Sequence, residues 1–186
     1  MFNLKYFITS YYKNLIKMKK IVLLLSAVIL FSVSYSQESN LPSVNIKTLD
    51  GKVFNTSDIK NDGKPIIIDF WATWCKPCVK ELEAISDVYE DWQEETGVKI
   101  YAVSIDNSRS MARVAPFTNA KGWEYVVLLD PNSKFKEAMN VVNVPHVFLL
   151  DGTGKIIHQH TAYSDGDEDD LFELIKKVAN GEEVAH

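Results

Sequence analysis

Hydrophobic and polar positions change their spacing along the chain, and each change marks a predicted element of secondary structure. Residues 43–59 alternate around an Asp-Gly pair, which is typical of a β-hairpin turn. Residues 65–72, PIIIDFWA, are continuously apolar and rich in β-branched side chains, which predicts a strand buried on both faces. Over residues 75–95 the apolar positions recur at helical spacing with charges between them, and we expect a long helix there.

The remainder of the chain alternates between strand-like and helix-like segments. Strands that alternate with helices, followed by a hairpin and a closing helix, indicate an α/β fold. We therefore expect a central mixed β-sheet flanked by helices, with an N-terminal β-hairpin ahead of them. The pattern predicts further strands at 98–106, 125–130, 144–151 and 155–160, and further helices at 108–121, 133–139 and 167–181.

The first 36 residues have a composition of their own, with five lysines and no acidic residue. Met18 is followed by two lysines, a thirteen-residue apolar run at 21–33, and small residues. A basic end, a short apolar run and small residues predict a secretory signal peptide. The run is shorter than the roughly 20 residues of a membrane span, and an uncleaved signal anchor is the alternative. We expect translation to start at Met18 and the signal peptide to lie within residues 1–36.

The chain after the predicted signal peptide, residues 37–186, has the composition of one acidic domain. It carries 15 lysines and arginines against 25 aspartates and glutamates. Such a domain repels phosphate backbones and anionic lipid, so nucleic-acid binding and peripheral membrane binding are not expected. Export would place the domain in an extracytoplasmic compartment such as the periplasm, where conditions are oxidising.

The chain has two cysteines, Cys75 and Cys78, separated by two residues. Covalent haem attachment needs a histidine directly after the second cysteine, and Val79 stands there instead. A structural zinc site needs four ligands, which two cysteines and scattered histidines do not supply. A purely structural disulfide would close a small ring, worth roughly 2 kcal/mol through the unfolded chain. A Cu(I) site with both thiolates and His146 stays open as an alternative.

A working dithiol agrees best with the position of the pair. Cys75 falls where the buried strand meets the long helix, and free N–H groups at a helix N-terminus stabilise a thiolate. Thiolate is the reactive form, so Cys75 is the predicted attacking sulfur. Cys78 lies one turn further into the helix and would resolve the mixed disulfide. No separate cysteine remains for peroxide chemistry, so a peroxidase is not expected.

Two motifs connect the chain to a known family. DFWATWCKPC, with VPHVFLLDGTGKI downstream, resembles the thioredoxin superfamily, and in particular its extracytoplasmic TlpA/ResA-like thiol-disulfide oxidoreductases. The resemblance covers residues 43–180 and implies a thioredoxin-like fold. It implies that Val144 and Pro145 form a cis-proline loop, which lies beside the dithiol and presents backbone to the substrate. Cys75 and Pro145 are 70 positions apart, which implies a strand-helix insertion before the cis-proline.

The resemblance also implies roles for individual side chains. Asp69 matches a buried acid that helps to move the proton of the second cysteine, and burial raises the pKa of an acid towards a useful range. Glu81 matches an acid near the active site and lies on the same helix face as Cys78. Trp74 matches a tryptophan that flanks the dithiol and offers contact area to a substrate.

Together these features predict an enzyme, an extracytoplasmic thiol-disulfide oxidoreductase that reduces disulfides by exchange at Cys75 and Cys78. The redox-active disulfide takes the place of a cofactor, and no metal is expected in the site. The resemblance implies protein disulfides or thiols as substrates, a membrane-bound electron donor, and a role such as cytochrome c maturation. Two alternatives stay open, a disulfide-forming oxidant and a Cu(I)-binding module.

Overall fold

The computed structural model describes residues 41–182 and residue 184, and within them the chain forms one sheet and four α-helices. The strands are β1 (Asn45–Thr48), β2 (Val53–Asn55), β3 (Ile66–Trp71), β4 (Lys99–Ser104), β5 (Val126–Leu129), β6 (His146–Leu150) and β7 (Ile156–Thr161). The helices are α1 (Lys76–Thr96), α2 (Val114–Lys121), α3 (Lys134–Ala138) and α4 (Asp167–Ala179). Short 3-10 turns lie at Thr56–Asp58 and Met111–Arg113.

The seven strands lie in the order β2-β1-β5-β4-β3-β6-β7. The centre of the sheet is parallel, because β4 pairs in parallel with both β3 and β5. The hairpin of β1 and β2 joins β5 in antiparallel fashion, while β6 and β7 extend the other edge beside β3. The predicted α/β, thioredoxin-like fold is confirmed, with its central mixed sheet and N-terminal hairpin. The segment from α2 to α3 supplies the predicted insertion before β6.

The central strand β3 is buried along its whole length and separates two hydrophobic clusters. Successive side chains of a strand point to opposite faces of the sheet. Ile67 and Trp71 therefore share the cluster that contains the apolar side of α1. Phe70 points the other way and packs with Phe135 of α3 and Phe148 of β6. The two sides of one strand thus serve two separate cores.

Helix α1 has defined ends that fix the position of the cysteines. Cys75 caps the N-terminus, and Pro77 lies in the first turn, where its missing N–H costs no helical hydrogen bond. At the other end Gly97 adopts a left-handed conformation with a φ of 69°, and its N–H donates to the carbonyl of Gln93 at 2.8 Å. The helix therefore begins directly after the turn that leaves β3.

The helix predicted over 108–121 begins later than expected, because α2 starts at Val114. The side-chain oxygen of Asn107 accepts a hydrogen bond from the N–H of Arg109 at 3.0 Å, and the backbone carbonyl of Asn107 accepts one from the N–H of Ser110 at 2.9 Å. Asparagine side chains compete with helical hydrogen bonds in this way and form a turn. The prediction was right for the helix and wrong for where it begins.

The N-terminal predictions concern a different part of the chain. The signal peptide, its start at Met18 and the domain boundary at residue 37 lie outside the described residues. Residues 41–182, nearly all of the predicted domain, contain the sheet and its helices. Among the residues that the structure describes, no helix combines the length and hydropathy of a membrane span.

Candidate active site

Both cysteines lie where β3 passes into α1. They form a disulfide with an S–S distance of 1.99 Å and with Cα atoms 5.3 Å apart. Cys75 is 5% exposed, whereas Cys78 has no exposed surface. An incoming thiol or disulfide therefore meets the sulfur of Cys75 first.

The first turn of α1 offers hydrogen-bond donors to the sulfur of Cys75. The N–H of Cys78 points at Cys75 Sγ, with an N···S distance of 3.3 Å. Free N–H groups and the positive end of the helix dipole stabilise negative charge at this position. After reduction of the disulfide, these groups favour a thiolate on Cys75, which is the form that attacks other disulfides.

The loop before β6 lies beside the disulfide. The carbonyl oxygen of Val144 is 3.7 Å from Cys75 Sγ, and the peptide bond between Val144 and Pro145 is cis. Pro145 is buried, while Val142 in the same loop is 77% exposed. Trp74, which precedes Cys75 in sequence, is 64% exposed. The residues predicted to contact substrate therefore lie around the reactive sulfur, with Trp74 and Val142 adding exposed apolar surface.

Asp106 fixes the turn before Cys75, although no sequence motif marks it as a functional residue. One of its carboxyl oxygens accepts a hydrogen bond from the N–H of Thr73 at 2.8 Å, and the other accepts from the Thr73 hydroxyl at 2.7 Å. The hydroxyl of Ser104 donates to the same carboxylate at 2.9 Å. The available signal was an acid just after a buried parallel strand, since the carboxyl ends of parallel strands meet at one edge of the sheet.

Asp69 is a buried acid in the middle of β3. It lies two positions before Trp71 in the strand, so both side chains point to the face that α1 covers. The residue is 1% exposed, and neither carboxyl oxygen has a hydrogen-bond partner among the described residues. Burial raises the pKa of Asp69 well above its usual value, and the nearby Glu81 raises it further. Asp69 therefore keeps its proton at a pH where exposed carboxyl groups have lost theirs.

Glu81 is a second buried acid, three residues after Cys78 on α1. It is 2% exposed, and its Oε1 lies 3.2 Å from Nε2 of His160 in β7. Burial raises the pKa of Glu81 to about 8, with smaller contributions from Asp167 and Glu168 in the first turn of α4. Burial also lowers the pKa of His160. Near pH 7 the contact is therefore a hydrogen bond between two neutral groups rather than an ion pair.

His146, the third ligand of the alternative Cu(I) site, lies on the other side of the sheet from α1. Its ring stacks on Phe148 with centroids 4.4 Å apart, and its Nε2 lies 3.1 Å from Oε1 of Gln159. Within residues 41–182 and residue 184, no three His, Cys, Asp or Glu side chains are grouped so that they could hold a metal ion. The three ligands that a Cu(I) site would need are thus not brought together.

Comparison with known proteins agrees with this geometry. A model of the AhpC/TSA family matches residues 38–159. The chain belongs to the AhpC/TSA family. The solved structure of an uncharacterized thioredoxin-like protein from Porphyromonas gingivalis is 47% identical, covers 80% of this chain and 97% of that one, and superposes with a TM-score of 0.70. The thioredoxin-like fold of this family member is therefore shared with a solved structure over nearly the whole of that protein.

Several curated relatives carry the name thiol-disulfide oxidoreductase ResA. The one from Bacillus thuringiensis strain Al Hakam is 34% identical over 118 residues, which are 63% of this chain and 65% of the relative. The one from Bacillus thuringiensis subsp. konkukian is 30% identical over 137 residues, which are 74% of this chain and 75% of the relative. The first match thus spans just under two thirds of the relative. The predicted resemblance to ResA-like thiol-disulfide oxidoreductases, a family of enzymes, is confirmed.

Proposed function

We propose that this family member is an extracytoplasmic thiol-disulfide oxidoreductase that reduces disulfides in protein substrates. The observation that carries the proposal is the arrangement of the disulfide. Cys75 caps α1 and is 5% exposed, while Cys78 has no exposed surface and lies one turn behind it. An accessible attacking sulfur and a protected resolving sulfur are what stepwise exchange requires.

The reaction proceeds in two exchange steps. The Cys75 thiolate attacks one sulfur of the substrate disulfide, the substrate S–S bond breaks, one substrate thiolate leaves, and a mixed disulfide forms. Cys78 then loses its proton and attacks Cys75 Sγ, and the second substrate thiolate leaves. One substrate disulfide has gained two electrons, and the two cysteine thiols have lost them to become the enzyme disulfide.

Asp69 and Glu81 serve as proton acceptors for the second step, each through the carboxylate that forms when it gives up its own proton. Burial raises the pKa of Glu81 to about 8, towards the value of about 8.5 for an unperturbed cysteine, and this lowers the free-energy cost of moving the Cys78 proton to the Glu81 carboxylate. Asp69 lies between Ile67 and Trp71 in the cluster that also contains Cys78, and burial raises its pKa as well. We assign proton transfer to this pair of coupled acids.

The residues around Cys75 would contact the substrate. The Val144 carbonyl, 3.7 Å from Cys75 Sγ, belongs to a loop whose backbone offers hydrogen-bonding groups to an extended peptide. Exposed apolar side chains at Trp74 and Val142 would cover part of such a peptide. These features favour a protein segment over a small polar molecule as the substrate.

Reduction is the proposed direction, and it requires an electron donor because each turnover leaves the enzyme oxidised. ResA-like family membership and the buried acids support this direction. The proposal includes export by the signal peptide within residues 1–36, the mature domain at 37–186, a membrane-bound electron donor, and a role such as cytochrome c maturation.

A disulfide-forming oxidant is the second candidate, because the helix N-terminus at Cys75 favours the thiolate and therefore the reduced protein. The same two sulfurs would then accept electrons from substrate thiols.

The proposal is tested by reduction of a model protein disulfide with the purified protein and a chemical donor of electrons. Cys75→Ser should abolish activity, and Cys78→Ser should accumulate a mixed disulfide that mass spectrometry detects. His146→Gln, on the other face of the sheet, is the control and should retain activity. Disulfide reduction by Cys75→Ser would overturn the proposal.

A further inference from the structure

The pairing of the strands places three side chains in one row across the sheet. Asp69 of β3 pairs with Val147 of β6, and Val147 pairs with His160 of β7. Neighbouring strands lie about 4.8 Å apart, so Asp69 and His160 point to the same face at a separation of roughly 10 Å. Glu81 bridges this gap from α1, because it contacts His160 at 3.2 Å and raises the pKa of Asp69 by its charge.

His160 also lines a groove between β7 and α4. The side chain of His160 is 24% exposed, whereas that of Glu81 is 2% exposed. The groove has a volume of about 320 Å³, enough for several water molecules. It is lined by apolar and polar side chains of both elements, and the titratable ones are His158, His160, Asp167 and Asp170. His160 is thus a side chain that contacts the buried carboxyl group of Glu81 and also lines the groove.

The geometry points to His160 as the residue that passes the proton of Glu81 to and from water in the groove. This inference rests on the proposed disulfide exchange. Glu81, which is protonated near pH 7, first gives its proton to Nε2 of His160, and the imidazole releases a proton from its other nitrogen to water in the groove. Cys78 then gives its proton to the resulting Glu81 carboxylate as it attacks Cys75. The proton released to the groove joins solvent or the departing substrate thiolate, and His160 and Glu81 return to their starting states.

The charges around His160 suit this exchange. Burial lowers the pKa of His160, while Asp167 raises it, so the imidazole is mostly neutral near pH 7 and gains and loses a proton readily. His160 in turn lowers the pKa of His146. The other titratable groups that lie near His160 and Glu81 or interact with their charges come from β3, β6, β7, the loop after β7 and α4, and are Asp69, His146, His158, Tyr163, Asp167, Glu168 and Asp170.

A purely structural role for His160 would have a different consequence. If the imidazole only satisfied Glu81 Oε1, an uncharged amide in its place would serve equally well. His160→Gln keeps a hydrogen-bonding group near Glu81 but cannot bind and release a proton near pH 7. The comparison of histidine with glutamine therefore separates proton exchange from support.

The experiment mixes the pre-reduced protein rapidly with an excess of a small aromatic disulfide and follows both thiol-release steps from pH 5 to pH 9. We expect His160→Gln to leave the first release unchanged and to slow the second about tenfold near pH 7, within the range of general acid–base effects. In His160→Gly, added imidazole should occupy the enlarged groove and restore the second step with saturation. His158→Gln removes the other groove imidazole and should keep the wild-type profile.

Two outcomes would overturn the inference. One is a second step in His160→Gln that matches the wild-type rate throughout the pH range. The other is a slow step that imidazole does not restore and whose pH profile is unchanged, which would mean structural support alone. Failure of the proposed function looks different, because the wild-type protein would then release no thiol, or Cys75→Ser would release it equally well.

Discussion

The two faces of β3 are equally buried and differ sharply in chemistry. The face away from α1 carries Phe70, whose ring lies 5.2 Å from that of Phe135 and 6.0 Å from that of Phe148. The face towards α1 carries Asp69, which is as buried as its neighbours and has no hydrogen-bond partner in the described part of the chain. One strand therefore contributes a side that stabilises the fold and a side that serves the cysteines.

The difference shows where the molecule gives up stability. In the described part of the chain, four residues have buried side-chain polar atoms without a hydrogen-bond partner. Three of the four lie on the α1 side, namely Asp69, Trp71 and Glu81. The fourth is His146, on the other side. An unsatisfied buried polar group costs about 1–3 kcal/mol. Such a concentration next to a disulfide is expected where proton transfer needs acids with raised pKa values.

The largest expected effect is a loss of stability when Phe70, on the face of β3 away from α1, is shortened to alanine. Phe70→Ala should lower the free energy of unfolding by about 3–5 kcal/mol, because it leaves a cavity between well-packed rings. Denaturant unfolding of the oxidised protein measures the loss. Disulfide exchange by the remaining folded protein should keep its wild-type rate. A large drop in that rate would contradict the division between the two faces.

The next effect concerns pH and the α1 face. Glu81 has an unfolded pKa of about 4.5 and a folded pKa of about 8, so the folded state binds more protons between these values. The free energy of unfolding should therefore fall as pH rises from about 4.5 to about 8, with a slope below the one-proton limit of about 1.4 kcal/mol per pH unit.

Glu81→Gln removes this contribution and should flatten the profile, as measured by urea unfolding of the oxidised protein at a series of pH values. Glu83→Gln is a matched control, because Glu83 lies on the same helix with its side chain 43% exposed and should leave the slope unchanged. Equal slopes in wild type and Glu81→Gln would argue against a raised pKa.

A smaller effect, on rate, should follow from Asp69→Asn. Loss of a proton acceptor should slow the attack of Cys78 by about 10- to 100-fold, as single-turnover thiol release measures. Asp130 is the matched control, since it is equally buried but accepts hydrogen bonds from the N–H groups of Lys134 and Lys136. Asp130→Asn should lower stability and leave the rate intact. A slower rate in Asp130→Asn together with an unchanged rate in Asp69→Asn would contradict the role assigned to Asp69.

The smallest effect on stability is expected at the protein surface. Trp74→Ala should change the free energy of unfolding by less than about 0.5 kcal/mol, because the side chain is 64% exposed. It should still lower kcat/KM several-fold for a protein disulfide and leave a small disulfide unaffected. An equal loss for both substrates would mean that Trp74 does not contact the protein substrate.

Local features of the sequence predicted the fold and the cysteine pair well. The apolar run at 65–72 and the helical spacing after it place Cys75 at a helix N-terminus, and these depend only on neighbouring residues. The contact between Glu81 and His160 spans 79 positions and depends on strand register and helix packing. The Asn107 turn also escaped prediction, because a side-chain hydrogen bond there outweighs a weak helical pattern.

The central claim is that Cys75 and Cys78 form a dithiol that gives electrons to substrates. The equilibrium reduction potential of this pair at pH 7 tests the claim most directly, by titration of the purified protein against a glutathione or dithiothreitol buffer. We predict a potential near or below about −230 mV, on a scale where thioredoxin lies near −270 mV. A potential between about −180 and −120 mV would contradict reduction and assign the protein to disulfide formation or isomerisation.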